Sequence, residues 1–134
     1  MLSSIAALGS AATIASLVAL LLAAPEVRAA EGERAALLAR GWAALRAMDC
    51  ARCHGREYDG WAAPSLIASV RETTCERFGR LVLDGNVERG MPPYRTQPVV
   101  VAELDAIYAY LLARAQGEIG PGNPSAAQSI SPAR

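Results

Sequence analysis

Two cysteines and a histidine stand in the run Cys50-Ala51-Arg52-Cys53-His54, and no other feature limits the possible folds as much. Two thiols two residues apart at the end of a helix reach the two vinyl groups of one porphyrin. The imidazole of the next residue then reaches the metal from the same side. The C-x-x-C-H spacing is the attachment pattern of c-type haem. Three other readings compete. A Cys50–Cys53 disulfide leaves His54 without a role. A thioredoxin-like redox pair needs a βαβ setting, whereas helix and then loop flank this run. A zinc knuckle needs four ligands, and Cys75, the third cysteine, stands in no metal-ligand spacing.

His54 is the single histidine of 134 residues, so a second axial ligand must be something other than imidazole. Met48 lies two residues before Cys50 and cannot swing to the opposite face of the ring. Met91 follows Gly90 and precedes Pro92-Pro93, where a stiff loop can hold a weak thioether ligand. The pair His54 and Met91 raises the reduction potential relative to two nitrogen ligands. It also occupies both axial positions, which favours electron transfer over catalysis. Pro64 lies ten residues after His54, and a carbonyl near it can accept the imidazole Nδ1 proton. Leu66 is placed to press on the haem face.

All thirteen basic residues are Arg and are balanced by thirteen acidic ones. Zero net charge argues against a nucleic-acid binder, which needs a phosphate-neutralising patch. The absence of Lys excludes a Schiff base or a phosphate-loop lysine. Arg52 and Arg56 flank the motif and offer contacts to an acidic partner patch. Strong long-range steering is not expected at this charge.

Residues 5–24 carry no charge and are mostly apolar. Val27 and Ala29 then stand at the −3 and −1 positions of a cut after Ala29, the pattern of a secretory signal. A retained membrane anchor is the alternative, since twenty apolar residues can span a bilayer. The expected division is a signal over 1–29, a haem domain over 30–116 and a Gly/Pro/Ser-rich tail over 117–134. Both readings export the domain.

Leu38, Trp42 and Leu45 recur at i, i+4, i+7 and predict a helix over 33–48. Thr73 or Thr74 caps a second helix running to Leu83, and Thr73 with Glu76 has capping-box spacing. Phe78, Leu81 and Val82 form its apolar face. Residues 55–67 and 87–98 read as loops, with Pro92, Pro93 and Pro98 as breakers. Leu104, Ile107, Tyr108 and Leu111 predict a third helix over 100–115. No strand pattern stands out. The expected class is all-α, with three main helices and long loops that need something central to pack on. Cys75 reads as a buried, inert thiol.

These residues resemble class I cytochromes c over roughly 33–115. Cys50, Cys53, His54 and Gly55 match the attachment signature. Pro64 and Leu66 match the proline-x-leucine segment of the proximal side, and Met91 matches the axial methionine in its Gly-Met-Pro setting. Tyr110-Leu111 resembles the Tyr-Leu pair of the C-terminal helix. Gly41 is a counterpart of the glycine at which that helix crosses the N-terminal one. The run from Arg114 to Gly122, Arg-Ala-x-Gly-x-x-Gly-Pro-Gly, is similar to a narrower group, the periplasmic c-type cytochromes found with quinoprotein (PQQ) alcohol dehydrogenases. The resemblance implies the class I cytochrome c fold around one haem c bound through Cys50 and Cys53, with His54 and Met91 on the iron. It implies an electron carrier rather than an enzyme, and a monomer. The donor would be a quinoprotein alcohol dehydrogenase and the acceptor a cytochrome or oxidase of the respiratory chain. A general donor to a terminal oxidase or reductase is the alternative, as is a gas-binding haem protein if Met91 does not ligate iron.

Overall fold

Apolar spacing and end signals account for most of the helices in the computed structural model, which describes residues 11–124, with side chains from residue 26 onward. Helix α1 spans Ala11–Ala47, α2 Ala51–His54, α3 Leu66–Arg71, α4 Cys75–Asp84 and α5 Pro98–Gln116, with a 3-10 turn at Val87–Arg89 between α4 and α5. Among the described residues the only strand-like pairing is an isolated antiparallel bridge between Asn86 and Met91. The all-α expectation therefore holds, with five α-helices among the described residues in place of three.

The chain divides into two units, Met1–Glu33 and Arg34–Arg134. In the first, the described residues belong to α1, and Glu26–Glu33 are exposed. The apolar run behind the signal or anchor expectation lies outside the residues with described side chains. Among the described residues no helix is long and apolar enough to cross a membrane.

The second unit holds the core. Leu38 and Leu45 are buried on one face of α1, with Trp42 packed against the same cluster. Gly41 shares that face. A Cβ added there would lie 2.0 Å from the Ala106 carbonyl oxygen, so α1 and α5 meet backbone to backbone. Arg40 flanks the crossing and pairs with Glu103 at 3.0 Å. On α5, Ile107, Tyr110 and Leu111 are buried. Pro98 starts this helix rather than stopping the loop before it. At N1 its missing N–H costs nothing and its fixed φ suits a first turn. Gly117 (φ 76°) ends α5 in the left-handed conformation.

Helix α4 takes the second of its two candidate caps and departs from expectation at its face. Thr74, not Thr73, is the N-cap, and its hydroxyl accepts the Arg77 N–H at 3.3 Å. Thr73 Oγ1 is buried without a partner, while the Thr73 carbonyl accepts the Tyr108 hydroxyl at 2.9 Å. Tertiary contact with α5 claims Thr73, which leaves the cap to Thr74 and the capping-box spacing of Thr73 with Glu76 unused. Thr74→Ala is expected to destabilise the protein by about 1 kcal/mol, read as a lower denaturant midpoint at unchanged slope.

Leu81 is 54% exposed instead of lying on the apolar face. The buried face is set by Phe78 and Gly79, with Val82 partly buried beside them. A Cβ on Gly79 would come within 2.7 Å of Leu104 Cδ2. At ~100° per residue, Leu81 points roughly 160° away from Gly79.

Residues 66 and 67, expected as loop, open α3. Ser65 caps it by accepting the Ala68 N–H at 3.0 Å, and Leu66 and Val70 are buried.

Candidate functional site

The attachment run is held by its own turn. After α1 ends, Asp49 takes a left-handed conformation (φ 51°), and the Cys50 N–H reaches back to Leu45 O at 3.2 Å. The His54 N–H donates to Cys50 O at 3.0 Å. One helical turn therefore fixes Cys50, Cys53 and His54 relative to one another. Gly55 (φ 87°) reverses the chain. A side chain there would meet Asp59 Oδ1 and Gly60 O, each at 2.9 Å. The loop then folds back under the motif, with Gly60 N donating to His54 O at 2.8 Å and Ala63 N to Cys53 O at 2.9 Å.

This fold-back delivers the Pro64 carbonyl to the ring of His54, where Nδ1 lies 2.7 Å from Pro64 O. A carbonyl can only accept. Nδ1 therefore carries the proton, and Nε2 is left with a lone pair for a metal. Leu66, two residues on, lines the adjoining cavity.

Met91 reaches the same cavity from the far side of the sequence. Asn86 and Met91 exchange two backbone hydrogen bonds, Asn86 N to Met91 O at 2.8 Å and Met91 N to Asn86 O at 2.9 Å. Gly90 (φ 82°) makes the turn between them. Gly85 (φ 68°) lies so close to Pro92 that a Cβ would come within 2.6 Å of its carbonyl. The Tyr94 N–H then ties the strap to Leu83 O at 3.2 Å.

The cavity has a volume of about 280 Å³ and brings together Cys50, Cys53, His54, Leu66 and Met91. Leu45, Phe78, Val82, Val100 and Ile107 supply apolar wall, and Met48 lines it too. Pro64 supplies its carbonyl from behind His54. A donor set of two thiols, one imidazole nitrogen and one thioether on an apolar surface fits a covalently held haem. Among the described residues no three His, Cys, Asp or Glu side chains converge to hold a bare metal ion. Burial pushes the Cys50 thiol up to about 11, so it is neutral at pH 7 before it is consumed in a thioether.

Sequence periodicity missed a second layer around the motif. The Arg114 side chain is 10% exposed and pairs with Glu57 at 3.5 Å. The Tyr110 hydroxyl donates to Gly122 O at 2.9 Å. The segment after Gly117 is thus folded on α5 as far as the described residues go. Tyr58, in a left-handed conformation (φ 65°), is buried edge-on against Tyr110 with ring centroids 6.4 Å apart. Cys75 is partly exposed rather than buried. Its Sγ donates to Asp105 Oδ1 at 3.5 Å, and burial, then that carboxylate, pushes its thiol up.

Residues 36–111 match a family model described as Cytochrome C oxidase, cbb3-type, subunit III. Cytochrome c-555 of Methylococcus capsulatus is 30% identical over 83 residues, which cover 61% of this chain and 66% of that protein. Cytochrome c-553I of Paracoccus denitrificans is 34% identical over 84 residues, covering 58% and 37% respectively. Among solved structures, the c-type cytochrome XoxG from Methylobacterium extorquens AM1 superposes with a TM-score of 0.59 at 26% identity, over 70% of this chain and 64% of that one. The chain spans less than two thirds of each of these relatives. Cytochromes c are electron-transfer proteins rather than enzymes. The family model covers more than half of the chain and contains the whole attachment run, so the chain belongs to this family, as a class I cytochrome c with covalently bound haem c.

Proposed function

We propose that this protein is a periplasmic single-electron carrier that takes electrons from a PQQ-dependent alcohol dehydrogenase and hands them to a cytochrome or oxidase of the respiratory chain. The observation that carries the reading is the 2.7 Å contact between His54 Nδ1 and Pro64 O, made beside a cavity that also holds Met91. The haem supplies one-electron Fe(III)/Fe(II) chemistry. Cys50 and Cys53 tether it, His54 offers Nε2, and Met91 offers a thioether from the clasped loop. Pro64 fixes the imidazole plane and its tautomer, and Leu66 excludes water at the histidine side. A thioether favours the softer ferrous state and raises the potential. With His54 and Met91 both given to the haem, the chain would leave no site for a substrate or gas. Periplasmic placement rests on the apolar run and the Val27/Ala29 pattern. The quinoprotein donor rests on the Arg114–Gly122 run.

The surface beside the attachment run supports weak steering. Arg52 and Arg56 share a shallow hollow with Asp49, Asp59 and the exposed Trp61, so its charges nearly cancel. In stopped-flow mixing with a reduced quinoprotein alcohol dehydrogenase, the haem-loaded protein is expected to be reduced one electron at a time. The rate should fall less than about tenfold with added salt, the low end of electrostatic steering. The spectrum of the reduced protein should not change with carbon monoxide. No reduction by the quinoprotein rejects that donor, and a carbon monoxide shift rejects permanent Met91 ligation.

A further inference from the structure

We infer that Arg89 is a positioning residue for the haem carboxylates, an assignment that rests on the haem reading above. Among the described residues Arg89 is the one arginine lining the cavity, and Asp49 is the one Asp or Glu. The nearest arginine on each side in the chain is matched: Arg80 pairs with Glu76 at 2.5 Å, and Arg95 pairs with Asp84. The Arg89 guanidinium has no ion pair or hydrogen bond among the described residues. Its backbone, by contrast, is fixed, with its N–H held by Asn86 O at 3.0 Å and Asn86 Oδ1 at 3.3 Å. The fold thus anchors an exposed, unpaired cation at the rim of an apolar cavity, two residues before Met91.

Haem brings two carboxylates to that cavity and the chain itself has zero net charge. A carboxylate drawn towards an apolar wall is costly unless paired. A guanidinium meets it with two parallel N–H donors, a geometry an ammonium cannot reproduce. Pairing with Arg89 offsets the negative charge beside the iron and so opposes the ferric state. Arg89 acts on the potential through the carboxylate and touches no reacting atom.

The test uses the full haem-loaded chain. Midpoint potentials are measured by spectroelectrochemistry, and the haem carboxylate-arm methylene resonances by NMR of the ferric protein. Arg89→Gln is expected to lower the potential and move those resonances, with the Met91-dependent near-infrared band retained. Arg89→Lys should recover most of the potential but not the resonance positions. Arg77→Gln, at an exposed and unpaired arginine on α4, is the charge control and should do neither. The inference is overturned if Arg89→Gln changes the potential no more than Arg77→Gln does, or if the potential moves while the resonances stay. A wild-type protein without covalent haem would instead reject the haem reading, a separate result visible before any variant is made.

Discussion

Met91→Ala is expected to abolish the weak near-infrared sulfur-to-iron band and to lower the midpoint potential by on the order of 0.1–0.3 V, part of the ~0.8 V span that axial ligands command. Two methionines line the cavity, Met48 and Met91, so the prediction has an internal control. Met48 ends the turn that leads into Cys50, and its N–H is bonded to Ala44 O at 3.1 Å. It is tied to the side of the motif that carries His54. Met91 comes from the separate clasped loop. Met48→Ala should therefore keep the band and most of the potential. With Met91 removed, the reduced protein should bind carbon monoxide. A band that survives Met91→Ala and vanishes in Met48→Ala would reverse the ligand assignment.

The largest stability effect is expected at Gly41. A Cβ there would stand 2.0 Å from Ala106 O and 2.5 Å from Ala106 C. Both atoms are backbone in the middle of α5, so no rotamer change relieves the contact. The helices must separate, which exposes Leu38, Leu45 and Ile107. Gly41→Val should cost more than about 3 kcal/mol, since overpacking adds to the loss of buried contacts. Against a total of ~5–15 kcal/mol, little folded haem-loaded protein should accumulate. The glycine's own helix penalty of about 1 kcal/mol is the smaller term, which is why a glycine persists here. Gly32→Ala, where nothing lies within 4 Å, should be neutral or mildly stabilising. A Gly41→Val protein with a wild-type denaturation midpoint would refute the close crossing.

Placements that depend on near neighbours are legible in the sequence alone. The C-x-x-C-H turn, the Gly-Met-Pro setting of Met91 and the α5 stripe are local patterns. The link from His54 to the Pro64 carbonyl spans only ten residues. Ile107 and Leu111, both buried, lie where the helical period places an inward face. Features set by distant partners were not legible. Helix α3 has six residues, too few to show a period. Leu81 is as apolar as a core residue, and only the approach of Leu104 to Gly79 reveals which face turns inward. Arg114 has Glu118 four residues on, the usual helical partner. Glu118 instead pairs with Arg34, and Arg114 with Glu57.

The clasp between Asn86 and Met91 bears on how the protein changes oxidation state. Two backbone hydrogen bonds, a left-handed glycine and a pair of prolines hold the loop. The thioether would thus be presented in one place to either oxidation state of a bound haem. With Met91 as a ligand, the loop backbone would need hardly to adjust when charge arrives or leaves. The reorganisation that accompanies each transfer then falls mainly on solvent and surface dipoles, the condition under which a carrier exchanges electrons quickly over a small driving force.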